Sequence, residues 1–320
     1  MLRQAFLFLS TQRWAARLLS GNPVTRALPW RFVAGETLDA ALGVARRLER
    51  RRIRTILDPL GENVTQAADA VAAADAAIAA LRSIKQAGTP TRLSVKLTQL
   101  GLDLGDDFCR AQVRRVLDCA RVCGSHVCID MEGSAYTQRT LDIFDGLHEG
   151  YGPRVVGTVI QSYLYRSQAD LERLVQSGAQ VRLVKGAYNE PPSLAYAAKA
   201  DVDRAYARQM ELLLARGADP AIATHDGTLI RHALGFVHQN RVPPERFEFQ
   251  LLFGVRRDLQ DRLAGQGYGV RIYVPYGTQW YPYFMRRLAE RPANVVFLLQ
   301  SALREARPAR TTARRGGRQP

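Results

Sequence analysis

The sequence predicts a closed (β/α)8 TIM barrel, and three observations carry that expectation. Short β-branched runs alternate eight times with longer amphipathic or alanine-rich segments between about residues 50 and 290. Most of those short runs are nearly continuously apolar, as strands covered on both faces are. The length of 320 residues suits one barrel of about 250 residues with extensions. An open doubly wound sheet shows the same alternation, and periodicity alone does not separate the two.

Residues 1–47 read as an N-terminal arm of helices packed outside a catalytic domain over 48–306. The eight strands expected are Arg54–Asp58, Arg92–Leu97, His126–Asp130, Val155–Gln161, Gln180–Val184, Ala221–Thr224, Arg246–Leu251 and Gly269–Val274. The helices between and after them are Val64–Gln86, Asp106–Val122, Ala135–Leu147, Gln168–Ser177, Leu194–Arg216, Thr228–Gln239, Val255–Gly265 and Tyr281–Glu290. Stop signals close several of them, such as Gly88-Thr89-Pro90 and Ser177-Gly178. A last helix is expected over 294–305. Residues 307–320 carry Arg, Gly, Pro and Thr with almost nothing apolar, so burial cannot offset their ordering entropy, and a disordered tail is expected.

Composition narrows the function classes. Hydrophobic content of 47% with 23% charged residues excludes a dominantly disordered, collagenous or coiled-coil chain. The longest apolar run near the N-terminus, Ala5 to Leu9, is far short of the ~20 residues of a membrane span and short for a signal-peptide core, so a cytoplasmic protein is expected. Four cysteines (Cys109, Cys119, Cys123, Cys128) include no Cys-x-x-Cys pair, so neither zinc spacing nor a disulfide framework is implied, and they read as idle thiols in a reducing compartment. The net charge of +15 is uneven: residues 1–35 hold five Arg and no acid, and residues 301–320 hold six Arg and one acid. Such charge can attract nucleic acid or anionic lipid but implies neither. A nucleic-acid reading lacks any helix-turn-helix, RNP-type or zinc element.

In a barrel of this kind the reacting groups come from the C-terminal ends of the strands. Those ends are polar here: Asp58, Lys96, Asp130 with Met131 and Glu132, Gln161, Lys185 after Arg182, Thr224-His225-Asp226, Gln250 and Tyr273. Apolar strands that end in charged and amide groups are costly unless a ligand or partner satisfies them. Any one of these residues could instead bond loop backbone. Lys96 and Asp130, on consecutive strands, suit an ion pair that fixes an ammonium for an anionic substrate. His225 lacks companion histidines for a metal site. Tyr283, Arg286, Arg287 and Glu290 share one helix face, which suits a carboxylate with an apolar body; the bland alternative is a solvated face with a Glu290–Arg286 pair. Gly265, Gly267 and Gly269 precede a strand, so they are no dinucleotide fingerprint, and no Walker loop or nucleophile elbow is present.

Eight segments in order resemble the flavin-dependent proline dehydrogenase family in its short, single-function bacterial form. They are Val95-Lys96-Leu97-Thr98-Gln99-Leu100-Gly101, Ile129-Asp130-Met131-Glu132-Gly133, Ile160-Gln161-Ser162-Tyr163-Leu164, Arg182-Leu183-Val184-Lys185-Gly186-Ala187-Tyr188 and Ala223-Thr224-His225-Asp226. Further on come Glu248 to Gly254, Arg271 to Gly277 and Tyr283 to Glu290. The resemblance implies a distorted barrel holding FAD non-covalently at its mouth, with L-proline losing a hydride to flavin N5 to give Δ1-pyrroline-5-carboxylate. It further implies that Lys96, Arg286 and Arg287 hold the substrate carboxylate, that Asp130 orients Lys96, and that Leu252, Tyr273 and Tyr283 shape the ring pocket. Arg182 would sit near flavin N5, and Met131, Gln161, Lys185, Gly186, Ala187, Thr224, His225 and Gln250 would line the flavin and its phosphates. Electrons would pass to a membrane quinone, with peripheral membrane contact through the basic N-terminal region and a separate Δ1-pyrroline-5-carboxylate dehydrogenase acting on the product. A Schiff-base aldolase using Lys96 or Lys185 is the rival enzyme class on this fold.

Overall fold

A computed structural model of the chain describes residues 28–290. Eight parallel strands close into a barrel in sequence order: β1 Arg54–Pro59, β2 Arg92–Val95, β3 Val127–Ile129, β4 Val156–Gln161, β5 Gln180–Val184, β6 Ala221–Ala223, β7 Glu248–Leu252 and β8 Gly269–Tyr276. Closure is made by β8 on β1, in register from Arg54 opposite Arg271 to Pro59 opposite Tyr276. The open-sheet alternative is thereby excluded.

Helix α1 (Leu38–Glu49) precedes β1. The others follow their strands in turn: α2 Ala67–Ala87, α3 Asp106–Cys123, α4 Ser134–Tyr151, α5 Ser167–Gln176, α6 Lys199–Arg216, α7 Gly227–Gln239, α8 Arg257–Gly265 and α9 Trp280–Glu290. Caps set several ends. The Thr37 hydroxyl accepts from the Ala40 N–H at α1, and the Asp226 carboxylate accepts from the Thr228 N–H at α7. Gly88 and Gly124 close α2 and α3 in the left-handed region.

Residues 32–278 form one compact unit, the barrel with α1 to α8. Among the described residues, 28–31 and 279–290 group as a second unit, in which a 3-10 turn at Pro29–Arg31 meets α9 and the Trp30 and Trp280 rings lie 5.6 Å apart. The expected helix at 294–305, the Arg-rich tail and the first 27 residues of the N-terminal arm lie outside the described residues.

The boundaries differ from expectation where local chemistry intervenes. β2 stops at Val95 because the Leu100 N–H turns back onto the carbonyls of Lys96 and Leu97. β7 begins at Glu248 because Pro243 and Pro244 start a 3-10 turn over Pro244–Arg246. α6 begins at Lys199, five residues later than expected. The preceding segment, with Pro191 and Pro192, crosses the rim as a strap through a bridge between Leu164 and Ala195.

The apolar core lies between strands and helices: Leu57, Leu93, Ile129, Ile160, Leu183 and Ile272 are all at most 1% exposed. Inside the barrel the fill is largely polar. At the N-terminal end Glu248 accepts from Arg271 Nε at 2.7 Å and from Gln250 Nε2 at 2.8 Å, with Arg54 Nη2 at 3.3 Å. Buried polar groups on this scale need full pairing. The polar column above this floor leads to the strand ends.

Candidate active site

Side chains two apart on a strand share a face, and inward-facing positions at the C-terminal ends of the strands converge on the barrel axis. Ser94 and Lys96, at the end of β2, share one such face. Asp130 closes β3, Arg182 is on β5, Gln250 on β7 and Tyr273 on β8.

Asp130 is the hub. Its Oδ1 accepts from Arg182 Nη2 and, at 2.5 Å, from the Ser94 hydroxyl; its Oδ2 accepts from the Tyr273 hydroxyl at 2.6 Å. Lys96 Nζ lies 3.8 Å from that same Oδ2. The nearer partner of Lys96 is Asp58 on β1, whose Oδ1 accepts at 2.8 Å. The ammonium therefore stands between two carboxylates, both buried. The Arg182 guanidinium also reaches Gln250 Oε1 at 3.4 Å and lies 5.2 Å from the centre of the Tyr273 ring.

The electrostatics follow from this geometry. Burial disfavours the charged forms of Lys96 and Arg182. Asp58 and Asp130 outweigh it and hold the Lys96 pKa above the ordinary lysine value, and Asp130 does the same for Arg182. Burial would likewise lift Asp130, but Arg182, Lys96 and the Ser94 and Tyr273 hydroxyls hold it low. Asp58 goes the other way: burial lifts it, with Asp130 adding to the lift against the pull of Lys96. A lysine kept protonated is a poor Schiff-base nucleophile, which argues against the aldolase reading at Lys96.

The other expected residues line the rim. Lys185 Nζ is held by Asp203 at 2.5 Å and Asp226 at 2.9 Å. The Thr224 hydroxyl accepts from the Asp226 N–H at 3.2 Å. His225 Nε2 accepts from the Leu252 N–H at 2.9 Å, which joins two of these residues and leaves the proton of the neutral ring on Nδ1. Gln161 donates to the Glu132 carbonyl at 2.8 Å, and Met131 is buried beside it. Gly186 takes a φ of 110°, and Ala187 is exposed. Tyr283, Arg286 and Arg287 lie on α9 in the second unit, where the Arg287 guanidinium sits 5.1 Å from the Tyr283 ring centre. The side chain of Glu290 lies outside the described residues.

Of the cluster, Ser94 escaped the sequence reading and Asp58 was given no partner. Asp58 was visible as a polar strand end, but its pairing with a residue 38 positions away depends on strand stagger. Ser94 is small and unremarkable in sequence. Its position two before Lys96 was the signal that would have found it.

Comparison with known proteins decides the family. The proline dehydrogenase family profile matches residues 41–300. The chain belongs to the proline dehydrogenase family. Proline dehydrogenase 1 of Bacillus subtilis subsp. natto is 38% identical over 305 residues, covering 95% of this chain and 100% of that protein. The proline dehydrogenase of Deinococcus radiodurans is 41% identical over 277 residues, covering 86% of this chain and 89% of its own. Among solved structures, proline utilization A (PutA) from Bdellovibrio bacteriovorus superposes with a TM-score of 0.81 over 96% of this chain and 38% of that longer one. At 24% identity that likeness speaks for the barrel fold alone.

Proposed function

We propose that this chain oxidises L-proline to Δ1-pyrroline-5-carboxylate with a non-covalently held FAD. What supports the reading is Lys96, a protonated lysine fixed between Asp58 and Asp130 at the barrel mouth, within the segment matched by the family.

The donor set at the mouth fits a flavin dinucleotide. It combines a guanidinium on the barrel axis (Arg182), amides (Gln161, Gln250), an ammonium at the rim (Lys185) and an imidazole with its proton on Nδ1 (His225). Arg182, Met131 and Gln250 would face the isoalloxazine, while Gln161, Lys185, Gly186, Ala187, Thr224 and His225 would hold the remainder of the cofactor. Bound there, FAD supplies the two-electron acceptor that no side chain can provide.

The remaining work falls to the protein. Lys96 takes the substrate carboxylate, and Asp58 and Asp130 keep the ammonium charged and aimed. By the family resemblance, Arg286 and Arg287 would also hold the substrate carboxylate, a role that the planar guanidinium suits. Tyr273 and Leu252 would bound the pyrrolidine ring, a role the resemblance also gives Tyr283, and exclusion of water there would strengthen every charged contact. The crowding hydroxyl-bearing ring of Tyr273 favours proline over hydroxyproline.

Electrons then pass to a membrane quinone, and a separate Δ1-pyrroline-5-carboxylate dehydrogenase consumes the product. Among the described residues no helix is long and apolar enough to cross a membrane. Contact with lipid would be peripheral, through the five arginines of residues 1–35. Co-sedimentation with anionic liposomes that ignores salt and lipid charge would sink that last step.

The deciding experiment is an absorbance spectrum before and after anaerobic addition of L-proline. Flavin bands that bleach on addition are the expected result. Bands that persist would overturn proline as substrate, and no bands after supply of FAD would overturn the cofactor as well.

A further inference from the structure

The proposed chemistry uses none of the cysteines, yet two of them are neighbours in space. Cys119 and Cys123 occupy positions i and i+4 in the last turn of α3, with their sulfurs 3.8 Å apart. Both are partly exposed, and Val122 between them is 75% exposed. Cys109 and Cys128 differ: they are buried, and burial pushes their thiols up to about 12 and about 11.

The separation of the exposed pair carries chemical meaning. A tetrahedral thiolate site with metal–sulfur bonds of about 2.3 Å has a sulfur–sulfur edge of about 3.8 Å. A disulfide needs about 2.05 Å. The helix thus holds the two thiols in a sulfur–sulfur hydrogen bond whose 3.8 Å length also equals the edge of a tetrahedral dithiolate. Helical i, i+4 spacing achieves this without the Cys-x-x-Cys loop of zinc motifs.

We propose that Cys119 and Cys123 form one edge of a binding site for a soft or borderline d10 divalent cation, with water or small solutes in the other two positions. Among the described residues no third His, Cys, Asp or Glu joins them, so the site is open, unlike a closed structural zinc centre. Binding displaces two thiol protons and transfers no electrons. The negative end of α3 favours a cation in its last turn.

The surroundings act in both directions. Burial and the neighbouring Cys123 thiol raise the Cys119 pKa, whereas Arg82 on α2 reaches its sulfur and favours the thiolate. Cys119 Sγ also points at the Ile78 carbonyl, 3.8 Å away. Lys85, which donates to the Val122 carbonyl at 3.0 Å, and Arg121, paired with Asp118 at 3.0 Å, are the other cations facing this turn. Their positive charge opposes a divalent ion, which keeps the affinity below that of a closed site.

The test uses the full-length holoprotein, reduced with a phosphine and titrated with Cd2+. A sulfur-to-cadmium charge-transfer band should saturate at one equivalent, and intact mass should show two thiols protected from iodoacetamide. Cys119→Ser and Cys123→Ser should each weaken binding by at least about ten-fold, the least that losing a ligand costs when outer-shell changes already cost that much. Circular dichroism of the variants checks that α3 persists. A band and protection unchanged in both variants would overturn the proposal, as would the absence of any band in the unaltered protein.

Discussion

Asp58 accepts a hydrogen bond from Lys96 Nζ at 2.8 Å, closer than the 3.8 Å between that nitrogen and Asp130. The two carboxylates do different work. Asp130 is saturated by Arg182, Ser94 and Tyr273, whereas Asp58 takes its hydrogen bond from Lys96, with the Tyr273 hydroxyl also acting on it. Asp58 is thus the residue that aims the ammonium. Asp58→Asn keeps the shape and removes the charge. A hydrogen bond to a charged group is worth about 1.5–3 kcal/mol, or about 10- to 100-fold. We expect kcat/KM for proline to fall by that factor, carried mainly by KM, because the contact is made equally in the bound and reacting states. Steady-state kinetics check it, and an unchanged KM would refute the role.

The charges in this cluster also predict a pH profile. Lys96 and Arg182 are held charged by their carboxylates despite burial, and Asp130 is held ionised by Arg182 and Lys96. All three keep their charge across the neutral to moderately alkaline range. The groups left to titrate are Asp58, whose carboxyl burial lifts, and the substrate, which in the proposed reaction would lose hydride readily only as the free amine. We expect kcat/KM to rise from neutral to alkaline pH with no falling limb from Lys96. A flat profile, or a descending limb abolished in Lys96→Met, would contradict the assignment.

The strands were legible because each is an apolar, β-branched run bounded by polar residues, and Gln180–Val184 matches its expected limits at both ends. Barrel closure was not legible in itself, since it depends on β8 finding β1 across more than 200 residues. The strap before α6 was misread as helix because Leu194, Ala195 and Tyr196 look helical locally; the Leu164–Ala195 bridge overrides that propensity. At the site, residue types were legible and partners were not. Lys96 and Asp130 do follow neighbouring strands, but Asp58 on β1 lies nearer to Lys96, and Asp130 is bonded to Arg182.

The basal cluster predicts an acid-sensitive fold. Burial would raise the Glu248 carboxyl, but Arg271, Arg92 and Arg54 outweigh it and hold its pKa at about 2 against an ordinary 4.5. A depressed carboxylate stabilises the fold fully above its unfolded pKa, and that stability is lost as pH falls from about 4.5 through about 2. A shift of this size corresponds to about 3 kcal/mol. Glu248→Gln should lower Tm at neutral pH and flatten the dependence of unfolding free energy on pH over that window, as read by denaturant titration. Equal slopes for the two proteins would show that the cluster contributes nothing there.

Gly186 predicts a backbone constraint at the rim. Its φ of 110° is one that side-chain-bearing residues rarely adopt, and an added Cβ would run into the Tyr163 ring. The Tyr163 N–H donates to the Lys185 carbonyl at 2.9 Å, so the ring cannot move away without disturbing the segment that carries Lys185. Gly186→Ala combines strain of about 1–3 kcal/mol with a steric clash. We expect a lower Tm and weaker retention of flavin on gel filtration, since Lys185 shifts with the backbone. Adding Tyr163→Ala removes the clash but leaves the dihedral strain, so the double variant should recover only part of the loss. Full recovery would mean that the ring alone, and not the backbone conformation, requires glycine at this position.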